Sequence, residues 1–139
     1  MGAACPICER GRPDDVVAEL PGAWVSLPSR APVRGYVVIV AKRHVAEPFE
    51  LADDERRAFW DAVDDVARAI DRGLRPDKVN YEIHGNTLPH LHLHLFPRWR
   101  GDRFEGRPID PAEAEPRPIE EREAIVAALR MLGAAASDP

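Results

Sequence analysis

The chain has 139 residues, of which 45% are hydrophobic and 31% are charged, as expected for a globular domain rather than a disordered chain. This length is sufficient for one domain with a single hydrophobic core. A formal net charge of −5 argues against a general nucleic-acid-binding protein, which is usually basic. No apolar run reaches the roughly 20 residues of a membrane helix, and the N-terminus shows no signal-peptide core, so we expect a cytoplasmic protein without a membrane partner.

The first part of the chain predicts a hairpin followed by a buried strand. Residues 1–13 are rich in Cys, Pro, Gly and Arg and show no hydrophobic period. Segments 15–20 and 23–28 flank the turn dipeptide Pro21-Gly22, which predicts a short hairpin. Segment 35–44 is apolar and β-branched at its centre, which predicts a buried strand.

The most regular pattern lies in residues 51–74, where apolar residues recur at steps of three and four and predict an amphipathic helix. The acidic residues at 53–55 suit the positive end of the helix dipole, and Gly73 suits the end of the helix. The predicted apolar face consists of Phe59, Trp60, Val63, Val66, Ala67 and Ile70.

The rest of the chain predicts two strands around a turn, a long loop and a shorter helix. In chain order these are strand 78–86, strand 90–98, a Pro- and Gly-rich loop at 100–118, helix 119–132 ending at Gly133, and a flexible tail at 134–139. This order predicts a single α+β domain over residues 1–139, with a mostly antiparallel sheet, one long helix and a short C-terminal helix.

Three of the five histidines, His90, His92 and His94, alternate with leucines in the second of these strands. Alternation places the imidazoles on one face of the strand and the leucines on the other, where they can anchor it in the core. The imidazole face has three interpretations: a polar face towards solvent, three ligands of one metal, or three separate roles along one substrate path. Metal ligation by all three is disfavoured, because ligands must approach within roughly 3–3.5 Å of each other.

The motif Cys5-Pro6-Ile7-Cys8 offers two thiols that can bind one ion, or a redox pair. A thioredoxin-like redox site would open a helix after a strand, whereas this motif precedes every predicted strand. Zinc normally requires four ligands, and the candidates for the remaining two are His44, His84 and His90.

The segment HLHLHLF at 90–96 resembles the signature of the histidine-triad (HIT) superfamily of nucleotide hydrolases and transferases. GYVVIVAKRHVAEPFEL at 35–51 is similar to the strand and strand-to-helix junction of that family, and GNTLPHLHLHLFPRW at 85–99 resembles its bacterial branch with a Gly-Asn turn. The resemblance implies a HIT-like fold and a small nucleotide, most simply a purine nucleotide, as substrate. It also implies a homodimer.

The resemblance assigns His92 as the nucleophile that attacks the α-phosphorus and forms a covalent nucleotidyl intermediate, which water then hydrolyses. It implies that His94 assists the leaving group, and that Asn86 and the backbone N–H groups near Leu88 contact phosphate oxygens. An imidazole, with an ordinary pKa of about 6.5, is largely unprotonated and nucleophilic at pH 7. Arg98 is either a further phosphate contact or a solvated charge at the strand end.

Zinc-containing members of this superfamily use two N-terminal cysteines, a His after the buried strand and the first triad His. The resemblance therefore implies a structural Zn2+ on Cys5, Cys8, His44 and His90, and leaves His84 as an ordinary residue near the turn. Such a closed tetrahedral site would pin the N-terminal segment and would not act as a Lewis acid.

The sequence departs from the family pattern at Tyr36, where many members carry a His after the glycine that opens the strand. The role of that His is then unfilled or passes to a phenol. Two other functions are a nucleotide-binding or scaffold protein with little turnover, and a nucleotidyl transferase. The intact triad argues against the first, and His94 argues against the second, because transferases commonly carry Gln at that position.

Overall fold

The computed structural model describes residues 5–137, with side chains described for residues 5–132. The helices within this range are α1 Pro6–Arg10, α2 Asp53–Leu74 and α3 Ile119–Ser137. The strands are β1 Val16–Leu20, β2 Ala23–Ser26, β3 Arg30–Ala31, β4 Val37–Ala41, β5 Lys78–Glu82, β6 His92–Arg98 and β7 Glu115–Pro116. Short 3-10 turns lie at Pro48–Glu50 and Pro111–Glu113.

Five of these strands form one antiparallel sheet in the order β1-β2-β4-β6-β5, and β3 pairs with β7 in a separate small ribbon. The predicted α+β fold with an antiparallel sheet and one long helix is confirmed. Strand β6 is paired on both sides, with Val40 of β4 opposite His92 and Glu82 of β5 opposite His94. Two neighbours therefore fix its register, and a shift by one residue would turn every imidazole into the core.

The leucine face of β6 packs into the main core between the sheet and the helices α2 and α3. Leu91, Leu93 and Leu95 are each at most 1% exposed, which confirms their predicted anchoring role. Burying a leucine side chain stabilises the fold by about 1.5–3 kcal/mol, so these three side chains hold the strand firmly.

The histidine face of the sheet carries a second, smaller core. Residues from α1, β3, β4, β6, the connection between β3 and β4 and the segment 100–118 meet there: Ile7, Ala31, Val33, Tyr36, Val38, Val40, Phe96, Phe104 and Ile109. The predicted loop at 100–118 therefore covers part of this face, with Phe104 fully buried. The patterning of the loop gives no sign of this role, because its apolar residues have no regular spacing.

Helix α2 confirms the predicted apolar face with one exception. Trp60 is 38% exposed and packs edge-on against Phe59, so it lies at the margin of the buried face. The prediction that Gly73 ends the helix is wrong, because Arg75 adopts the left-handed conformation and closes the helix instead. Gly73 lies inside α2, where a Cβ atom would come within 2.7 Å of the Cβ of Ala128 in α3.

Both ends of the chain are more helical than predicted. Cys5 and Pro6 start the one-turn helix α1, which Gly11 ends in the left-handed conformation. Helix α3 continues through Gly133 to Ser137, because the alanines that follow Gly133 have a high helix propensity. Most of the predicted flexible tail is therefore helical, and its last two residues, 138–139, lie outside the described residues. No helix in the described range is long and apolar enough to cross a membrane.

Gly73 permits the close approach of α2 and α3, and Gly73→Ala tests this. We expect the variant to lower the free energy of unfolding by about 1–3 kcal/mol, because the added Cβ overlaps Ala128. This overlap outweighs the helix propensity of alanine, which favours the helix by about 1 kcal/mol over glycine. Urea unfolding of Gly73→Ala, Ala128→Gly and the double variant measures this. In the Ala128→Gly background the overlap is absent, so adding Gly73→Ala should cost little stability there. A Gly73→Ala protein as stable as wild type would contradict the packing argument.

Candidate active site and metal centre

Four donor atoms converge where β4 ends and β6 begins. The thiols of Cys5 and Cys8, at the start and within the single turn of α1, face the imidazoles of His44 and His90. The Nδ1 atoms of the two imidazoles are 3.2 Å apart, Cys5 Sγ lies 3.4 Å from His90 Nδ1, and Cys8 Sγ lies 3.5 Å from His44 Nδ1. The predicted ligand set is thus confirmed as a cluster that can hold one metal ion, with all four atoms within 4.8 Å of one another.

These distances fit zinc. A tetrahedral ion with nitrogen ligands at about 2.0–2.1 Å and thiolates at about 2.3 Å separates its ligand atoms by about 3.3–3.8 Å. His90 Nε2 is 2.7 Å from the carbonyl oxygen of Ala41, and since a carbonyl can only accept, Nε2 carries the proton and Nδ1 presents its lone pair to the cluster. A ligand imidazole held by a backbone carbonyl is typical of zinc sites. Burial lowers the pKa of His90, which keeps this imidazole neutral.

The protein supplies all four ligands of the cluster, which leaves no position for water or substrate. The chemistry of such a site is structural, and binding energy for the ion becomes folding energy. The ion would tie α1 to the ends of β4 and β6. Ile7 of α1 is 6% exposed in the second core, so the same short helix also covers the histidine face.

His92 is half-buried on that face, and its orientation is set by the backbone. Its Nδ1 lies 2.7 Å from the carbonyl oxygen of His90, so Nδ1 is the protonated nitrogen that donates. In the neutral ring the lone pair is then on Nε2, the nitrogen that does not contact the strand. The hydrogen bond thus fixes the ring so that the lone pair of its neutral form does not lie on the nitrogen bound to the strand.

His94 is half-buried between three other rings. Its centroid lies 5.0 Å from that of His92, 5.8 Å from that of Phe96 and 5.9 Å from that of Tyr36, whose hydroxyl is 2.8 Å from His94 Nδ1. Burial lowers the pKa of His94 to about 4, with smaller contributions from His92 and His84. The ring is therefore neutral at pH 7.

The structure also brings His84 close to the triad, a position for which the sequence favours an ordinary strand residue near the turn over a residue that lines the substrate site. His84 lies just after β5, with its ring centroid 5.9 Å from that of His94. Its Nε2 is 2.8 Å from the carboxylate of Glu82, which stands opposite His94 in the sheet. The sequence signal was the alternate spacing of Glu82 and His84, which places both on the face of the triad.

The turn before the triad strand holds the predicted phosphate contacts in different environments. Gly85 adopts a left-handed conformation with φ of 76°, Asn86 is exposed, and Leu88 is half-buried against the second core. An exposed amide at Asn86 is accessible to a ligand, whereas the side chain of Leu88 only anchors the turn. Any polar contact from position 88 therefore comes from its backbone.

Arg98, predicted as a phosphate contact or a solvated charge, lies at the end of β6 and is largely buried. Its guanidinium donates to the carboxylate of Asp102, the side chain of Asn80 and the carbonyl of Phe104. The side chain is 15% exposed. Because these hydrogen bonds use most of its N–H groups, we propose that Arg98 fastens the segment after β6 to the sheet instead of contacting phosphate.

Comparison with known proteins identifies the family. The sequence model described as HIT domain matches residues 9–101. The chain belongs to the HIT domain family. It is 30% identical over 124 residues to a Bis(5′-adenosyl)-triphosphatase from Dictyostelium discoideum, covering 82% of this chain and 80% of that protein. A match to Protein hit from Bacillus subtilis is 30% identical and covers 53% of that relative, so the chain spans about half of its length.

Solved structures of HIT proteins share the fold. A histidine triad protein from Bradyrhizobium japonicum has a TM-score of 0.75 at 22% identity, over 93% of this chain and 96% of that chain. A Zn-bound histidine triad family protein from Mycobacterium smegmatis has a TM-score of 0.68 at 25% identity, over 95% and 97% of the two chains. Together with the Cys and His cluster, the second structure supports a HIT protein of the zinc type.

Removing the metal should destabilise the protein markedly. We expect a strong chelator to lower the melting temperature of the zinc-loaded protein, because the free energy of metal binding is lost from the folded state. Differential scanning fluorimetry with and without chelator measures this, alongside zinc content. Cys8→Ala should start at a lower melting temperature and lose its response to chelator, whereas His84→Ala, a histidine outside the cluster, should respond as wild type does. An unchanged melting temperature after complete zinc removal would refute the structural role.

The Arg98–Asp102 pair predicts a pH-dependent contribution to stability. The Asp102 carboxylate accepts from Arg98 and from the backbone N–H groups of Trp99 and Phe104, which together lower its pKa to about 2. Because this pKa is lower in the folded protein than in the unfolded chain, the ionised carboxylate stabilises the fold above about pH 4. This contribution is lost as the pH falls towards 2. Asp102→Asn should therefore lower the free energy of unfolding by about 2 kcal/mol at pH 7 and by about half as much near pH 3.

Urea unfolding at pH 7, 5 and 3 measures this difference. The control is Asp61→Asn, at an exposed position of α2, which should change stability little at any of these pH values. A deficit of Asp102→Asn that is equal at pH 7 and pH 3 would show that the carboxylate charge does not supply the stabilisation.

Proposed function

We propose that this HIT protein hydrolyses a P–N or P–O–P bond at the α-phosphate of a nucleoside substrate, through a nucleotidyl intermediate on His92. The observation that carries the proposal is the 2.7 Å hydrogen bond from His92 Nδ1 to the His90 carbonyl, which leaves the Nε2 lone pair free. The similarity to a protein named Bis(5′-adenosyl)-triphosphatase supports a purine nucleotide as the substrate.

The reaction divides into two displacements at one phosphorus. His92 Nε2 forms a bond to the α-phosphorus while the P–N or P–O bond to the leaving group breaks, and the leaving group departs with the bonding electrons and takes up a proton. Water then attacks the same phosphorus, the N–P bond breaks, and nucleoside monophosphate leaves as water gives up a proton. The His90 carbonyl offsets the positive charge that develops on the ring in the intermediate.

Neighbouring groups supply hydrogen bonds to the phosphoryl oxygens, whose charge grows in the transition state. In this proposal they are the free ring nitrogen of His94, the exposed amide of Asn86 and the backbone N–H near Leu88. A zinc ion on Cys5, Cys8, His44 and His90 would supply only rigidity to this site. The expected homodimer and the cytoplasmic location stay predictions.

Replacing the nucleophile tests the proposal. His92→Gly should lower turnover of an adenosine phosphoramidate and of diadenosine triphosphate by about 10³-fold or more, while AMP binding is kept, because the covalent route is lost. Added imidazole should restore part of the turnover, since it can occupy the vacated space and attack phosphorus. Initial rates of AMP release and a calorimetric Kd for AMP measure these effects.

Unchanged turnover in His92→Gly would exclude His92 as the nucleophile, and wild-type protein that binds AMP without hydrolysing either substrate would favour the binding-protein alternative. An assay with inorganic phosphate separates hydrolysis from transfer. With the adenosine phosphoramidate as substrate, hydrolysis gives AMP and the amine, whereas transfer to phosphate gives ADP and the amine, because phosphate then replaces water in the second displacement.

A further inference from the structure

Tyr36 lies beside the catalytic strand and is almost fully buried. It follows Gly35, which has φ of 90°, and a Cβ atom on Gly35 would meet Pro97 of β6 at 2.8 Å. The phenol ring stacks on Phe96 with centroids 4.8 Å apart, and its hydroxyl lies 2.8 Å from His94 Nδ1. The close approach that Gly35 allows thus brings Tyr36 to the histidine that follows the nucleophile.

The direction of the hydrogen bond between Tyr36 and His94 follows from the chemistry of the two groups. Burial raises the pKa of Tyr36 to about 12, so the phenol keeps its proton. Among residues 5–132, His94 Nδ1 is the polar partner found for this hydroxyl. If the hydroxyl accepted from Nδ1 instead, its own buried proton would have no acceptor among these residues, so we infer that Tyr36 donates to Nδ1. The single proton of the neutral imidazole is then on Nε2.

A buried ion pair from the C-terminal part of the chain holds the backbone at Tyr36. Arg117 Nη2 donates to the carbonyl oxygen of Tyr36 at 2.8 Å, and Arg117 Nη1 is 2.6 Å from Glu121 Oε2. The same carboxylate oxygen accepts from the backbone N–H of Gly35 at 3.2 Å. The side chains of Arg117 and Glu121 are 2% and 10% exposed. Both residues lie outside the 9–101 segment that matches the HIT domain.

We propose that Tyr36 is a positioning residue that holds His94 as the Nε2–H tautomer, and that the Arg117–Glu121 pair fixes Tyr36 in the place where it can do so. The catalytic consequence rests on the proposed function. In that tautomer Nε2 is a neutral donor aimed away from Tyr36, suited to a phosphoryl oxygen or to the leaving-group atom. In the other tautomer Nε2 carries a lone pair, which would repel the same oxygen.

The first test reads the tautomer directly and does not depend on activity. Long-range 15N–1H NMR of the zinc-loaded protein at pH 7 should show the proton of His94 on Nε2, with Nδ1 as an acceptor. Tyr36→Phe removes only the hydroxyl, and we expect the His94 signals to shift towards a mixture of tautomers. Tyr81→Phe, at the only other tyrosine, should leave them unchanged. A wild-type His94 protonated on Nδ1 would overturn the proposal.

The second test measures coupling in turnover. Tyr36→Phe should lower kcat about tenfold with little change in KM, the effect of one lost hydrogen bond to a catalytic group. Glu121→Gln weakens the clamp and should lower kcat about threefold alone, but it should have no further effect in the Tyr36→Phe background.

If Tyr36→Phe and Glu121→Gln together lower kcat by the product of their separate effects, the ion pair does not act through Tyr36. A Tyr36→Phe protein with wild-type kcat would overturn the positioning role. Tyr81→Phe should keep wild-type kcat. A wild-type protein without hydrolytic activity would refute the proposed function only, since the NMR experiment still decides the tautomer of His94.

Discussion

The two-residue period of β6 is the constraint on which the site depends. Three leucines of one face are buried in the main core, and the strand is hydrogen-bonded to a neighbour on each side. These contacts stabilise the strand, so its other face can carry imidazoles instead of apolar side chains. The strand acts as a rigid support, and catalytic groups on regular elements are held more precisely than groups on loops.

Backbone carbonyls then orient each ring. The carbonyl of Ala41 directs Nδ1 of His90 towards the Cys and His cluster, and the carbonyl of His90 directs Nε2 of His92 outwards. His90 is thus both a candidate metal ligand and the source of the acceptor that orients His92. A metal ion held by His90 would therefore also steady the orientation of His92, the residue that we propose as the nucleophile.

Local pattern was sufficient for the features that depend on local chemistry: the hairpin, the faces of β6 and the buried side of α2. It is not sufficient where two distant segments meet. The pattern of α2 alone does not reveal the role of Gly73, because that role depends on the contact with Ala128 of α3. The contact of Tyr36 with His94 depends on the pairing of β4, which Tyr36 immediately precedes, with β6, and the chain order alone does not specify that pairing.

In the proposed reaction, Nε2 of His92 forms the bond to phosphorus. This bond can be detected by rapid mixing of the protein with an adenosine phosphoramidate, a quench in alkaline denaturant that preserves an N–P bond, and peptide mass spectrometry. We expect an AMP adduct on the peptide that contains His92, formed before AMP appears and absent in His92→Gly. An adduct on another residue, or AMP release without any adduct in a single turnover, would contradict it.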